Sequence, residues 1–231
     1  MRSQKFIWLA SYPRSGNTFL RTVLHHCFGL RSASVYPDDL GGNKKLEEYV
    51  GHIEHATNGK IVLPPGTRYP IIKTHEVPSP SDDNPAIYVV RDGRDATLSL
   101  YDYYQKQIPL EKIISGQVRF GTWSNHVAAW SPWNRPHTLF VRFENIINDL
   151  PALLQQLQKY LGLPILTDKI PDRNAIVNID GTWVREKKAG TRTFPVEHLE
   201  LFERVNGEMM QKLGYDPVKC TWPADSVPTQ R

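Results

Sequence analysis

The residues best suited to chemistry stand in segment 11–19, which reads Ser-Tyr-Pro-Arg-Ser-Gly-Asn-Thr-Phe. An apolar run, 6–10, precedes this segment, and the residues after it predict a helix. A buried strand, a tight turn and a helix N-terminus together offer unpaired N–H groups and a favourable helix dipole to an anion. Arg14 adds a permanent cation, and Ser15 and Thr18 add hydroxyl groups. The segment predicts a phosphate or sulfate site, and the alternative is an ordinary strand-to-helix turn.

Two further polar pairs stand where predicted strands end. Lys73 and His75 are two positions apart, so both side chains point to one face of an extended segment. A cation beside a histidine suits an anion and a proton acceptor, because the unperturbed pKa of histidine is about 6.5. Arg91 closes the next strand, and Ser99 follows about two turns into a helix, where the pair could hold a second anion. The alternatives are strand-end or loop-capping side chains at 73–75 and an arginine–aspartate ion-pair network at 91–95.

Segment 11–19 is not a Walker A loop, which requires two glycines and a lysine. It has one glycine, Gly16, and the cation is Arg14. The sequence also lacks an aspartate pair or a histidine and cysteine cluster with the spacing of metal ligands. No metal is therefore predicted.

Strands and helices alternate along the chain. Strands are predicted at 5–11, 69–74, 86–91 and 138–143, and helices at about 17–28, 93–105, 122–130, 151–161 and 194–213. Residues 31–68 read as irregular, with a possible helix at 44–56. Apolar strands between helices predict a single α/β domain, with a central parallel β-sheet flanked by helices. Ligands bind at the carboxyl ends of such strands, which places the three polar clusters on one rim.

Composition is that of an ordinary globular protein. The 231 residues are 40% hydrophobic and 23% charged, with a formal net charge of +4. This mild excess suits an anionic ligand but not a nucleic-acid partner. The two cysteines make no disulfide framework, and no signal peptide or membrane span is evident, so we expect a cytoplasmic protein that does not bind a membrane. We expect one domain at 1–219 and an extended tail at 220–231.

The three clusters, in this order, resemble the nucleotide-binding motifs of the soluble sulfotransferases, which use 3′-phosphoadenosine 5′-phosphosulfate (PAPS). Segment 11–19 resembles the P-loop-like 5′-phosphosulfate loop of that family, 73–75 its Lys-Thr-His catalytic segment, and 90–101 its 3′-phosphate motif. Two later segments, 121–127 and 141–146, also resemble family motifs, and the second puts Phe143 where an aromatic ring lies near adenine. The resemblance runs from about residue 8 to residue 215.

The resemblance implies transfer of a sulfuryl group from PAPS to a hydroxyl or amine of a small-molecule acceptor, without a metal. In this reading His75 is the general base, and Lys73 and Arg14 neutralise charge on the transferring group. The implied PAPS-binding residues are Arg14, Ser15, Gly16, Asn17, Thr18, Phe19, Arg91, Ser99, Arg185 and Gly190. The dimer motif of the family is not evident, so the oligomeric state stays open.

The chain departs from the family pattern at several positions. Arg14 stands where the cytosolic enzymes carry lysine, and an arginine cannot give up a proton to the leaving phosphate. Asn17 and Phe19 replace a threonine and a tryptophan. The last family motif reads Arg-Lys-Gly-x-x-Gly-x-Trp, and in this chain Arg185 and Gly190 match its first arginine and second glycine with the same five-residue spacing.

Two other functions remain open from the sequence. One is a nucleotide or small-molecule kinase on a similar sheet, and the other is a non-catalytic nucleotide-binding module. The acceptor is expected to contact segments 32–65 and 178–193. Acidic residues of the first segment, Asp39 and Glu47 among them, either receive the acceptor or form a solvated helix face.

Overall fold

The computed structural model describes residues 6–56, 60–61, 69–169, 173–183 and 193–215. The strands are β1 (Ile7–Ser11), β2 (Ser32–Ser34), β3 (His52–His55), β4 (Ile71–Thr74), β5 (Ala86–Val90) and β6 (Thr138–Arg142). The helices are α1 (Asn17–Phe28), α2 (Lys44–Val50), α3 (Gly93–Tyr103), α4 (Leu110–Ile114), α5 (Trp123–Trp130), α6 (Phe143–Asn148), α7 (Leu150–Leu161), α8 (Arg173–Asp180) and α9 (Val196–Lys212), with a short 3-10 helix at Asp39–Gly42.

The chain forms two compact units. The first contains residues 1–91 and 129–186 and holds the sheet, and the second contains residues 92–128 and 187–231. In the described ranges, six strands form one parallel sheet in the order β3-β2-β4-β1-β5-β6. The predicted α/β fold with a central parallel sheet is confirmed.

Strands β1, β4, β5 and β6 form from short apolar runs, and β4 and β5 are buried along their length. Leu9 of β1 pairs in register with Lys73 of β4, so these two side chains lie on the same face of the sheet. On that face the buried core joins β1, β4, β5 and β6 to the apolar sides of α1, α2, α6, α7 and α8. Each fully buried leucine or isoleucine there contributes about 1.5–3 kcal/mol. Side chains of the opposite face, such as Ala10 and Tyr88, are also buried.

In its described residues the second unit is helical and contains α3, α4, most of α5, and α9. The Asp92 side chain caps α3 by accepting from the Arg94 N–H, and the Arg94 guanidinium pairs with the same carboxylate at 2.9 Å. Arg94 is therefore structural, as the ion-pair alternative proposed. Trp123 packs on Gly93, where an added Cβ would lie 2.8 Å from the indole ring.

Several elements differ from the sequence prediction. Strands β2 and β3 lie inside the stretch predicted to be irregular, and the helix expected at 44–56 ends at Val50. It ends there because Gly51 takes a left-handed conformation, with φ of 74°, and its N–H caps the last carbonyls. The short helices α4, α6 and α8 were not predicted. The proposed tail at 220–231 lies outside the described residues.

Of the helices in the described ranges, none is long and apolar enough to cross a membrane.

Candidate active site

The turn between β1 and α1, called the phosphate loop below, has the features of an anion cradle. Arg14 and Gly16 both have positive φ, of 67° and 96°, which turns the chain sharply into the helix. Gly16 is the N-cap of α1 and, having no side chain, makes no capping hydrogen bond to the first-turn N–H groups. The Ser15 hydroxyl is fully buried and makes no hydrogen bond within the described part of the chain. A buried hydroxyl without a partner beside uncapped N–H groups suits an incoming anion.

Asn17 stabilises this loop from inside. Its amide nitrogen donates to the carbonyl oxygen of Leu9 at 3.0 Å and lies 3.3 Å from the Ser11 hydroxyl oxygen. These contacts occupy the hydrogens of the Asn17 side-chain amide, so the backbone N–H of Asn17 is the group left to donate to a bound nucleotide. Thr18 is largely buried beside it, and Phe19 packs in the hydrophobic core.

Phe143 lies directly against the phosphate loop. A Cβ added at Gly16 would stand 2.2 Å from the Cδ2 atom of Phe143, so only glycine allows the ring to approach this closely. The Arg91 guanidinium lies over the same ring, 4.6 Å from its centroid, and donates to the Arg14 carbonyl oxygen at 3.2 Å. The Arg14 guanidinium donates to the carbonyl oxygen of Thr182 at 3.0 Å. Two arginines and an aromatic ring thus surround the cradle.

The His75 ring is fixed at the start of the same loop. Its Nδ1 atom lies 2.7 Å from the Ser11 carbonyl oxygen, which can only accept, so Nδ1 carries the hydrogen and Nε2 has the lone pair in the neutral ring. The Tyr36 ring stacks on His75, with centroids 5.7 Å apart, and its hydroxyl oxygen accepts from the His75 N–H at 2.7 Å. This arrangement suits a general base that acts through Nε2.

Lys73 belongs to a buried ion network. Its Nζ atom donates to Oδ1 of Asp39 at 2.5 Å, and Oδ2 of Asp39 accepts from Arg21 of α1 at 2.7 Å. Burial by itself would raise the pKa of the Asp39 carboxyl, but Lys73 and Arg21 outweigh it and hold that pKa well below its usual range. Burial lowers the pKa of the Lys73 ammonium, and the Asp39 carboxylate opposes that shift.

The sequence did not reveal this network. Asp39, Glu47 and His52 are buried, so the solvated helix face considered for the acidic residues of 32–65 is wrong for Asp39 and Glu47. One signal was available, because Arg21 interrupts an apolar helix side, and a buried arginine requires an acceptor. Tyr36 and Trp183 also lie near Lys73, whose Nζ is 5.2 Å and 5.9 Å from their ring centroids.

The remaining predicted residues fall elsewhere. Arg91 follows β5 as the last residue of the first unit, and Ser99 is buried in α3 of the second unit. Arg185 and Gly190 lie outside the described residues. Within the described ranges, no group of three or more histidine, cysteine, aspartate or glutamate side chains could hold a metal ion.

The chain is similar to a known protein family over most of its length. The family described as sulfotransferase domain matches residues 4–178. Sulfotransferase 4A1 of Mus musculus is 26% identical over 175 residues, which are 68% of this chain and 60% of that protein. Sulfotransferase 1 family member D1 of Mus musculus is 29% identical over 172 residues, 67% of this chain and 58% of that protein. The chain thus spans at most 60% of the length of these two relatives.

Two solved structures share the fold. Mouse sulfotransferase SULT7A1 complexed with PAP has a TM-score of 0.57 and 21% identity, over 90% of this chain and 84% of that chain. A retinol dehydratase in a complex with retinol and PAP has a TM-score of 0.61 and 20% identity, over 89% of this chain and 81% of that chain. At these identities the likeness establishes the architecture.

Proposed function

Because the chain belongs to the sulfotransferase domain family, we propose that it transfers a sulfuryl group from PAPS to a hydroxyl or amine of a small-molecule acceptor. The product nucleotide is adenosine 3′,5′-bisphosphate (PAP). One observation carries the proposal: the His75 ring is fixed on the Ser11 carbonyl oxygen, where the uncapped phosphate loop begins. A proton acceptor and an anion cradle are the two parts that sulfuryl transfer needs.

The loop fits the 5′-phosphosulfate of PAPS. The first-turn N–H groups of α1, the buried Ser15 hydroxyl and the Arg14 guanidinium make a donor set for an anion. Phe143 lies against Gly16, which supports its assignment to the adenine. The assignment of Arg91, Ser99, Arg185 and Gly190 to PAPS binding rests on the family resemblance and stays a prediction.

The transfer is an in-line displacement at sulfur. The acceptor oxygen or nitrogen forms a bond to sulfur while the bond from sulfur to the bridging oxygen of the 5′-phosphate breaks, and PAP leaves with that electron pair. His75 takes the acceptor proton on Nε2, because Nδ1 already donates to Ser11. Arg14 and Lys73 stabilise the charge on the transferring group. Arg14 does not donate a proton, and a phosphate leaving group scarcely needs one.

The acceptor is proposed to be a small molecule that approaches His75 and Tyr36. The retinol dehydratase of the same fold was solved with retinol as well as PAP, which supports a small hydroxylated compound. A cytoplasmic location and a reaction that needs no metal both stay predictions.

The test is a transfer assay with sulfur-labelled PAPS and a panel of phenols, alcohols and amines. We expect His75→Ala to lower the rate of product formation by about 100- to 10,000-fold, because it removes the general base. The affinity for PAP should change little, since the loop keeps its donors. The matched control is His137→Asn, an exposed histidine at the amino end of β6, which should keep the wild-type rate. A His75→Ala protein with near wild-type turnover would remove the base assignment.

A further inference from the structure

The lysine proposed to face the transferring group is held by a carboxylate that no motif identified. Asp39 begins the 3-10 helix Asp39–Gly42, and its two oxygens contact two different cations. Oδ1 accepts from Nζ of Lys73 on β4, and Oδ2 accepts from the guanidinium of Arg21 on α1. All three side chains are at most 5% exposed. Asp39 therefore joins the helix of the phosphate loop to the strand that ends in the catalytic segment.

Arg21 is fixed in place by three acceptors. Its NH1 donates to Asp39, its Nε donates to the Ser32 hydroxyl at 2.8 Å, and its NH2 lies 2.7 Å from Nδ1 of His52. The Arg21 guanidinium is always charged, so it keeps the Asp39 carboxylate ionised. With Lys73 protonated and His52 neutral, this cluster carries one surplus positive charge. That charge is buried near the carboxyl end of β4, close to the phosphate loop.

We propose that Asp39 is a positioning residue for sulfuryl transfer, which holds the Lys73 ammonium charged and in place at the carboxyl end of β4. The proposal rests on the proposed function. Arg21 acts through Asp39, as the fixed cation that maintains the carboxylate.

The electrostatic surroundings support this role. Burial lowers the pKa of Lys73, Asp39 raises it, and Arg21 and Arg14 lower it further. Among the described residues, the charges that act on Lys73 are those of Asp39 in the 3-10 helix, Arg21 of α1 and Arg14 of the phosphate loop. The Tyr36 ring lies beside Lys73, with His75 and Glu76 in contact with Tyr36, and His52 lies against Arg21. Asp39 is the anion that contacts the Lys73 ammonium directly. Without its charge, Lys73 would face the surrounding cations in a buried place and lose its proton at lower pH.

The direct test measures the titration of Lys73 by NMR of its ¹³Cε atom, with the signal assigned from Lys73→Arg. In Asp39→Asn we expect the midpoint to fall by about 1 pH unit or more, since an opposite charge at this distance shifts a pKa by that amount. The matched control is Asp38→Asn, which removes the exposed carboxylate next in the chain and should leave the midpoint unchanged. A wild-type midpoint in Asp39→Asn would overturn the proposal.

A second readout is the pH profile of sulfuryl transfer from PAPS. The protonated form of Lys73 is the active one, so activity is lost as pH rises through its pKa. In Asp39→Asn this high-pH limb should move to lower pH, with kcat reduced more than KM for PAPS is raised. Asp39→Glu should move the limb back toward the wild-type position, which a purely structural role would not do.

Two outcomes separate the possible failures. If the wild-type protein transfers nothing, the proposed function fails, while the Lys73 midpoint still decides whether Asp39 holds the lysine charged. If Asp39→Asn does not fold, Lys73→Arg serves instead, because arginine does not titrate in this range. Loss of the high-pH limb in Lys73→Arg supports the proposal, because the limb then reports the Lys73 charge that Asp39 maintains. Persistence of the limb overturns the proposal, because the limb then belongs to another group.

Discussion

Gly16 is the residue on which the shape of the phosphate loop depends most. Its φ of 96° lies in the region that favours glycine, and the Phe143 ring occupies the space that a side chain would need. Conformation and packing thus require glycine independently. The same close approach brings Phe143, and with it the Arg91 guanidinium, against the site.

We predict that Gly16→Ala lowers the free energy of unfolding by about 1–3 kcal/mol, because it adds backbone strain and displaces Phe143. It should also weaken PAP binding by about tenfold or more, since the ring moves. Urea unfolding and titration calorimetry measure the two effects. Gly162→Ala is the matched control, with φ of 66° but nothing within 4 Å of the added Cβ, so it should carry the strain alone and leave PAP binding unchanged. Equal effects of the two substitutions on PAP binding would contradict this account.

At the scale of elements, Asp39 links three of them: α1 through Arg21, β4 through Lys73, and its own 3-10 helix. Breaking a buried ion pair by removing one partner leaves an uncompensated charge, which costs about 3–5 kcal/mol. The network therefore supports the fold around the site as well as the charge of Lys73.

We predict that Asp39→Asn lowers the free energy of unfolding by about 3–5 kcal/mol at pH 7. The folded-state pKa of Asp39 is depressed, so its stabilisation is present above the unfolded pKa and fades as pH falls. The difference in the free energy of unfolding between wild type and Asp39→Asn should therefore be smaller by about 1 kcal/mol near pH 3 than at pH 7. Urea titrations at both pH values measure it. A difference in the free energy of unfolding that stays constant or grows at low pH would contradict an ionised Asp39.

Strands β1, β4, β5 and β6, which have polar residues at their ends, could be predicted from the sequence because each is an apolar run next to a turn signal. Strands β2 and β3 could not, since Ser-Ala-Ser and His-Ile-Glu-His have no apolar pattern of their own. They pair only because β4 offers an edge, which is a tertiary effect.

For the whole molecule, the family resemblance rested on local motifs, and the match to the sulfotransferase domain family confirms it. The buried network was beyond local reading, because Arg21, Asp39 and Lys73 are distant in the chain and meet only in the folded protein. The chain spans at most 60% of the length of Sulfotransferase 4A1 and Sulfotransferase 1 family member D1 of Mus musculus, so its activity has to be tested on this chain itself.

Titration calorimetry with PAP in the presence of EDTA measures directly whether this site binds a 3′-phosphoadenosine nucleotide. We expect saturable binding of PAP with one nucleotide per chain, a rise in melting temperature on adding PAP, and no comparable effect of ATP with Mg²⁺. Binding of ATP with Mg²⁺ and none of PAP would contradict the proposed function and favour a kinase.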